Sequence, residues 1–231
     1  MSNFNKDQLI KHLCNIIGER NIITTKWGKL PFSKGWRYGQ GEALAVAKPE
    51  TLFEMWQIIE ICVDMDIIII MQAANTGLTG GSTPFGDDYD RPILIINTRR
   101  ITKIHVINEG KQIVGFAGST LIGLEKKLTP YGREPHSVIG SSCIGASIVG
   151  GVCNNSGGAL IKRGPAYTEL ALYAKIDISG NLVLINDLGI ELGDNPKEIL
   201  NNLQNQNYDQ GQIKYPDKLA SDNEYEKRVR N

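Results

Sequence analysis

From Val138 to Gly158 the chain runs for 21 residues without one Lys, Arg, Asp or Glu: Val-Ile-Gly-Ser-Ser-Cys-Ile-Gly-Ala-Ser-Ile-Val-Gly-Gly-Val-Cys-Asn-Asn-Ser-Gly-Gly. Side chains this small cannot fill a core by themselves, and without charge the stretch is no ordinary solvated face. Its working surface is therefore backbone. Where no Cβ intervenes, main-chain N–H groups can approach a phosphate or a flat ring, and successive free N–H groups form an anion nest with no charged side chain. A second stretch has the same character: Gln72-Ala73-Ala74-Asn75-Thr76-Gly77-Leu78-Thr79-Gly80-Gly81-Ser82-Thr83-Pro84. Of the 25 glycines, sixteen lie between Gly77 and Gly164. The competing explanation is that these are packing glycines and tight turns in a crowded sheet.

The elements predicted around these loops place the first one well. Ala43–Ala47 is an unbroken apolar run suited to a strand buried on both faces. Thr51-Leu52-Phe53-Glu54 reads as a capping box opening a helix to about Asp64, and Ile67–Met71 is the next strand. This is a β-α-β unit with parallel strands, and the first loop follows its second strand at the carboxyl end, where ligands bind in α/β sheets. Asn5 and Gly18 bracket an amphipathic helix carrying Leu9, Leu13, Ile16 and Ile17. Trp27–Gln40 reads as a connecting segment and Ile93–Asn97 as a strand. Hairpins are expected at Lys103–Ala117 and Glu169–Asn186, with a short helix at Ser119–Leu128. From Asn201 onward, Asn and Gln dominate and a loop or frayed end is expected.

Several chemistries are disfavoured. With 25 basic and 25 acidic side chains the formal charge is zero, which argues against nucleic acid as a partner, although a local basic patch is compatible with it. There is no G-x-x-x-x-G-K-[ST]; the nearest approach to G-x-G-x-x-G, at Gly39-Gln40-Gly41, leads into a strand and lacks its third Gly. His12, His105 and His136 lack metal-ligand spacing, and no metal site is expected. His136, just before the second loop, suits a supporting role there. Cys14, Cys62, Cys143 and Cys153 show no C-x-x-C; they are expected to be reduced, with Cys143 and Cys153 serving packing. Asp87-Asp88-Tyr89-Asp90-Arg91 reads as a solvated turn. The polar N-terminus is neither a secretory nor a transit signal, and no run approaches the ~20 apolar residues of a membrane helix.

The same residues resemble a known family. Gly39–Val46, Ala74–Pro84, Arg133–Ser147 and Arg163–Glu169 are similar to the respiratory, quinone-dependent D-lactate dehydrogenases, flavoproteins of the vanillyl-alcohol-oxidase type. The resemblance runs from the first helix to about Val229 and is densest from Gly39 to Glu169. It implies an α+β, PCMH-type FAD-binding fold of two α/β subdomains, incomplete at its C-terminus. On this basis residues 1–38 are an N-terminal helix and connector, 39–200 the FAD-binding domain, and 201–231 a polar tail or truncated continuation. By resemblance Ala73, Ala74, Asn75, Thr76, Gly77, Gly81 and Ser82 match the loop holding the FAD pyrophosphate, and Gly140, Ser147 and Gly157 match further flavin contacts. The implied reaction is oxidation of D-lactate to pyruvate, with electrons passed to a membrane quinone by an enzyme peripheral to the cytoplasmic side of the inner membrane, attached through a basic region expected beyond Asn231; this chain alone is expected to be cytoplasmic. A non-catalytic truncated fragment, or a flavoenzyme for another 2-hydroxy acid such as glycolate, are the alternatives. Family members are longer, so the catalytic base and the cation gripping the substrate carboxylate are expected beyond Asn231. No catalytic residue is assigned.

Overall fold

The computed structural model describes residues 5–87, 89–136, 139–158, 166 and 168–215. The chain divides into two compact units, Met1–Ile101 and Thr102–Asn231. The first contains α1 (Lys6–Ile17), β1 (Ile22–Ile23), α2 (Lys26–Ser33), β2 (Ala45–Ala47), α3 (Leu52–Asp64), β3 (Ile68–Gln72) and β4 (Ile93–Asn97). Its sheet has the order β1-β2-β4-β3, with β2 and β3 both parallel to the central β4 and β1 antiparallel on the edge.

The apolar runs explain this arrangement. All five residues of β4 are buried. Leu94 and Ile96 pack with Ala45, Ala47, Leu9, Leu13, Ile58 and Cys62, joining α1 and α3 to one face of the sheet. Ile93 and Ile95 point the opposite way and pack with Ala43 and Val46, with Phe32 of α2 against them. The period-2 alternation thus carries hydrophobic residues to both faces, as a parallel interior strand requires. Asn5 Oδ1 accepts from the Gln8 N–H and caps α1, and Thr51 with Glu54 closes a full capping box on α3.

One element departs from the expected connector. Residues 26–33 form α2 even though Pro31 lies inside it and removes one helical hydrogen bond. Thr25 Oγ1 caps its start by accepting from the Gly28 N–H at 3.2 Å. Lys29 turns inward and donates to the carbonyls of Ala43 and Leu44, and burial lowers its pKa. Tertiary contacts of this kind stabilise a helix that has no clean amphipathic period.

In the second unit, β5 (Ile104–Ile107) and β6 (Gln112–Gly115) form the first expected hairpin, and β7 (Leu172–Ile176) and β8 (Leu182–Asn186) form the second. Helix α4 (Leu121–Leu128) buries Leu121, Leu124 and Leu128 against Ala146 and Ile148. Helix α5 (Ile148–Cys153) lies in the charge-free stretch, and α6 (Pro196–Asn205) buries Ile199, Leu200 and Leu203. The first five residues of the segment expected as loop from Asn201 are thus helical, because an Asn195 cap and three buried aliphatic residues outweigh the polar composition. Residues 216–231 and the Arg163-Gly164-Pro165 motif lie outside the described residues.

Candidate functional site: a glycine loop at the carboxyl end of the sheet

Strand β3 ends in Gln72, which is 2% exposed and works entirely inside the protein. Its Nε2 donates to the carbonyls of Phe32 at 2.9 Å and Ser82 at 2.8 Å. Its Oε1 accepts from Asn97 Nδ2 at 3.2 Å, and the same amide donates to the Ala73 carbonyl at 3.0 Å. Gln72 and Asn97 are paired in register at the ends of β3 and β4, so two buried amides clasp both ends of the loop that leaves the sheet. Buried polar groups need partners, and here the loop backbone supplies them.

Above this base, Asn75 sits in the left-handed region (φ 56°), a conformation Asn tolerates. Its Nδ2 donates to the Lys34 carbonyl at 2.8 Å, and its Oδ1 accepts from Ser82 Oγ at 2.8 Å. The side chains of Asn75 and Ser82 are therefore spent on bracing the loop. The backbone keeps the donors instead. Among the described residues, none of the N–H groups from Thr76 to Ser82 donates to another protein group. Ala73, Ala74, Asn75 and Thr76 are half-buried, and Gly77 and Gly81 are exposed.

The glycines separate into two kinds. A Cβ placed on Gly81 would meet nothing within 4 Å, and one on Gly77 would meet only Ser82 Oγ at 3.9 Å. At Gly39, by contrast, φ is +88° and a Cβ would fall 2.2 Å from Thr83 Oγ1. Packing demands glycine at position 39, next to the loop, and does not demand it at 77 or 81. The space beside these two and the run of unspent amides fit a phosphate-bearing group drawn against the backbone.

In the second unit the charge-free stretch folds as a 3-10 turn, Gly140–Ile144, followed by α5. Ser147 is 6% exposed, and its Oγ caps α5 by accepting from the Gly150 N–H at 3.0 Å. A Cβ at Gly140 or Gly151 would again meet open space, and Gly157 lies half-buried just past the helix. The packing role expected for Cys143 and Cys153 is overturned: both are exposed, because the short helical turns turn them outward. Cys62 is the buried one, and burial pushes its thiol up to about 12. A cavity of about 510 Å³ in this unit is lined by Ile113, Leu121, Leu124, Ile148, Gly151 and His136, among others. Val138 and Ser137 lie outside the described residues.

The fold is that of the PCMH-type flavoproteins: alkyldihydroxyacetonephosphate synthase superposes with a TM-score of 0.64 over 84% of this chain and 37% of that one, at 15% identity. The chain belongs to the FAD binding domain family, whose pattern matches residues 43–172, and its cofactor is FAD. It is 59% identical over 201 residues to the quinone-dependent D-lactate dehydrogenase of Haemophilus influenzae, covering 87% of this chain and 36% of that protein. With the quinone-dependent D-lactate dehydrogenase of Escherichia coli the identity is 49% over 230 residues, 100% of this chain and 40% of that protein. The chain thus spans well under half the length of these curated relatives. The glycine and small-residue pattern made the loop legible, whereas Gln72 and Asn97 were missed. Their one signal is a polar residue ending an apolar strand.

Proposed function

We propose that this chain forms the flavin-holding part of an enzyme that oxidises D-lactate to pyruvate and passes the electrons to a membrane quinone at the cytoplasmic face of the inner membrane. The observation that carries the proposal is the 59% identity to a protein bearing that name, combined with a loop whose amides are unspent. The backbone N–H groups of residues 76–82 would hold the FAD pyrophosphate, with Gly77 and Gly81 leaving room for its approach. Ala73, Ala74, Asn75, Thr76 and Ser82 set the loop's shape. Gly140, Ser147 and Gly157 would make further flavin contacts, as the family resemblance implies. When bound, FAD supplies the two-electron acceptor for the hydride leaving lactate C2.

The protein's part is to preorganise neutral donors where phosphate charge arrives. Donors that are already oriented need not be rearranged on binding, which lowers the cost of binding. Gln72 and Asn97 keep the loop base fixed. Among the described residues no helix is long and apolar enough to cross a membrane, so any attachment by these residues would be at the bilayer surface.

The test is reconstitution of the 231-residue chain with FAD, read by flavin absorbance after gel filtration. Retained flavin is expected, and a colourless chain that ignores added FAD overturns the proposal. Initial rates of dye reduction with D-lactate, L-lactate and glycolate, measured on a protein extended beyond Asn231, check the substrate.

A further inference from the structure

The cavity of about 510 Å³ in the second unit falls within the ~300–1,000 Å³ common for sites that take a small organic molecule. Its walls are mostly aliphatic: Ile113 of β6, Leu121, Leu124 and Leu128 of α4, Ile148 of α5, and Ile190 beyond β8. Lys111 and Arg133 also line it, and both reach solvent. We propose that this cavity receives the ring and first isoprenoid unit of a quinone, the electron acceptor of the reaction.

The turn between β5 and β6 brings the two cations together. Gly110 has a φ of +78°, and a Cβ there would fall 3.1 Å from Arg133 Cδ and 3.1 Å from Tyr131 Cβ. The Arg133 stem therefore crosses the turn at the residue just before Lys111. A neutral quinone offers two carbonyl oxygens to such donors and gains negative charge on them as it is reduced. Cations already in place stabilise that developing charge without rearrangement. Among the described residues Glu134 is the one carboxylate of the lining, so positive charge is in excess. The aliphatic walls suit the methyl and prenyl substituents of the ring. D-Lactate, small and charged, is a poor match for a space of this size and character.

The cavity also borders the stretch where electrons would arrive. Helix α5 gives Ile148, Gly151 and Val152 to its lining, and Ser156 follows just beyond. Ser147 and Gly157, which by resemblance contact the flavin, directly flank this run. A helix with its side chains is about 10 Å across, a separation that electrons can cross. Oxidation of one D-lactate to pyruvate releases two electrons and two protons, and one quinone takes up both pairs and leaves as the quinol. The inference rests on the quinone reading proposed above and adds where in the chain the acceptor sits.

The test is equilibrium dialysis of the 231-residue chain against a benzoquinone carrying two methoxy groups, a methyl and one prenyl chain. Its fully substituted ring cannot add the exposed thiols of Cys143 and Cys153. Saturable binding of one quinone per chain is expected. A Cβ at Gly151 meets nothing within 4 Å, so Gly151→Leu fills the cavity from a helical position that accepts a side chain. This variant should lose quinone binding while its urea midpoint stays level or rises. Lys111→Met/Arg133→Met should bind about tenfold more weakly, and laurate, an acyl chain without a ring, should compete at least about tenfold less well than unlabelled quinone. The inference is overturned by absence of saturable binding, by full binding in Gly151→Leu, by unchanged affinity in the double variant, or by laurate competing as well as quinone. Flavin retention is measured on the same samples. A chain that holds flavin but no quinone overturns this inference alone, and one that takes quinone as described but ignores FAD overturns the flavin reading and leaves the cavity assignment standing.

Discussion

The hydroxyl of Ser82 donates to Oδ1 of Asn75 at 2.8 Å, and this bond ties the two sides of the glycine loop together across seven residues. The other half of the Asn75 amide reaches back to the Lys34 carbonyl, so one side chain links the loop to itself and to the end of α2. That link braces the loop that carries the unspent amides of residues 76–82.

Replacing Asn75 by Ala removes both hydrogen bonds, each contributing about 1 kcal/mol, and places an Ala at positive φ at a further cost of about 1 kcal/mol. FAD affinity is expected to fall by roughly 10- to 100-fold, measured by quenching of flavin fluorescence. Ser82→Ala loses one of the two bonds and should weaken binding only about fivefold.

Gly81→Val and Gly39→Ala should behave oppositely. The first places its Cβ in open space, so its unfolding free energy, from urea titration, should change by no more than about 0.5 kcal/mol while FAD affinity drops at least about tenfold. The second forces a Cβ against Thr83 at a φ of +88° and should cost about 1–3 kcal/mol of stability. Equal stability losses for both would contradict a cofactor role for Gly81.

Thiol labelling of the native chain should follow exposure. Cys143 and Cys153 are open to solvent, and iodoacetamide is expected to alkylate both quickly. Cys62 is buried with its thiol pushed up to about 12, so it should label only after unfolding, as read by peptide mass spectrometry.

His105 sets a pH dependence. Burial, and secondarily the Lys103 charge, lower its pKa below the ordinary 6.5, while Nδ1 lies 2.9 Å from the Tyr208 hydroxyl. Between the folded and unfolded values the unfolded chain binds more protons, so stability rises with pH there. The contribution is fully present above 6.5 and is lost as pH falls from 6.5 through the lowered folded value. Urea midpoints should therefore decline as pH falls from 6.5 to that value and level off below it, and His105→Gln should flatten the decline.

Much of the architecture follows from local pattern. The Thr51–Glu54 capping box, the Asn5 cap and the five-residue apolar run at Ile93–Asn97 each specify their element with short-range chemistry, and the structure forms α3, α1 and β4 there. The two hairpins are equally legible, since Gly110 and Gly180 sit at positive φ between the apolar runs. Local pattern failed at α2, whose Pro31 and missing period argue against a helix, and at the two-residue β1, which exists only through its pairing with β2. It failed again at Cys143 and Cys153, because small neighbours do not reveal which way a short helical turn faces.

By itself the sequence determined that residues 72–84 and 138–158 would present backbone rather than charge, since glycine and other small residues leave no alternative surface. Only the tertiary structure decided which donors remain for a ligand. Asn75 is consumed by Lys34, 41 residues away, and Gln72 by Asn97, 25 residues away. Side-chain hydrogen bonds over such separations leave no periodic trace in the chain, because the sheet, not the local sequence, brings their partners together.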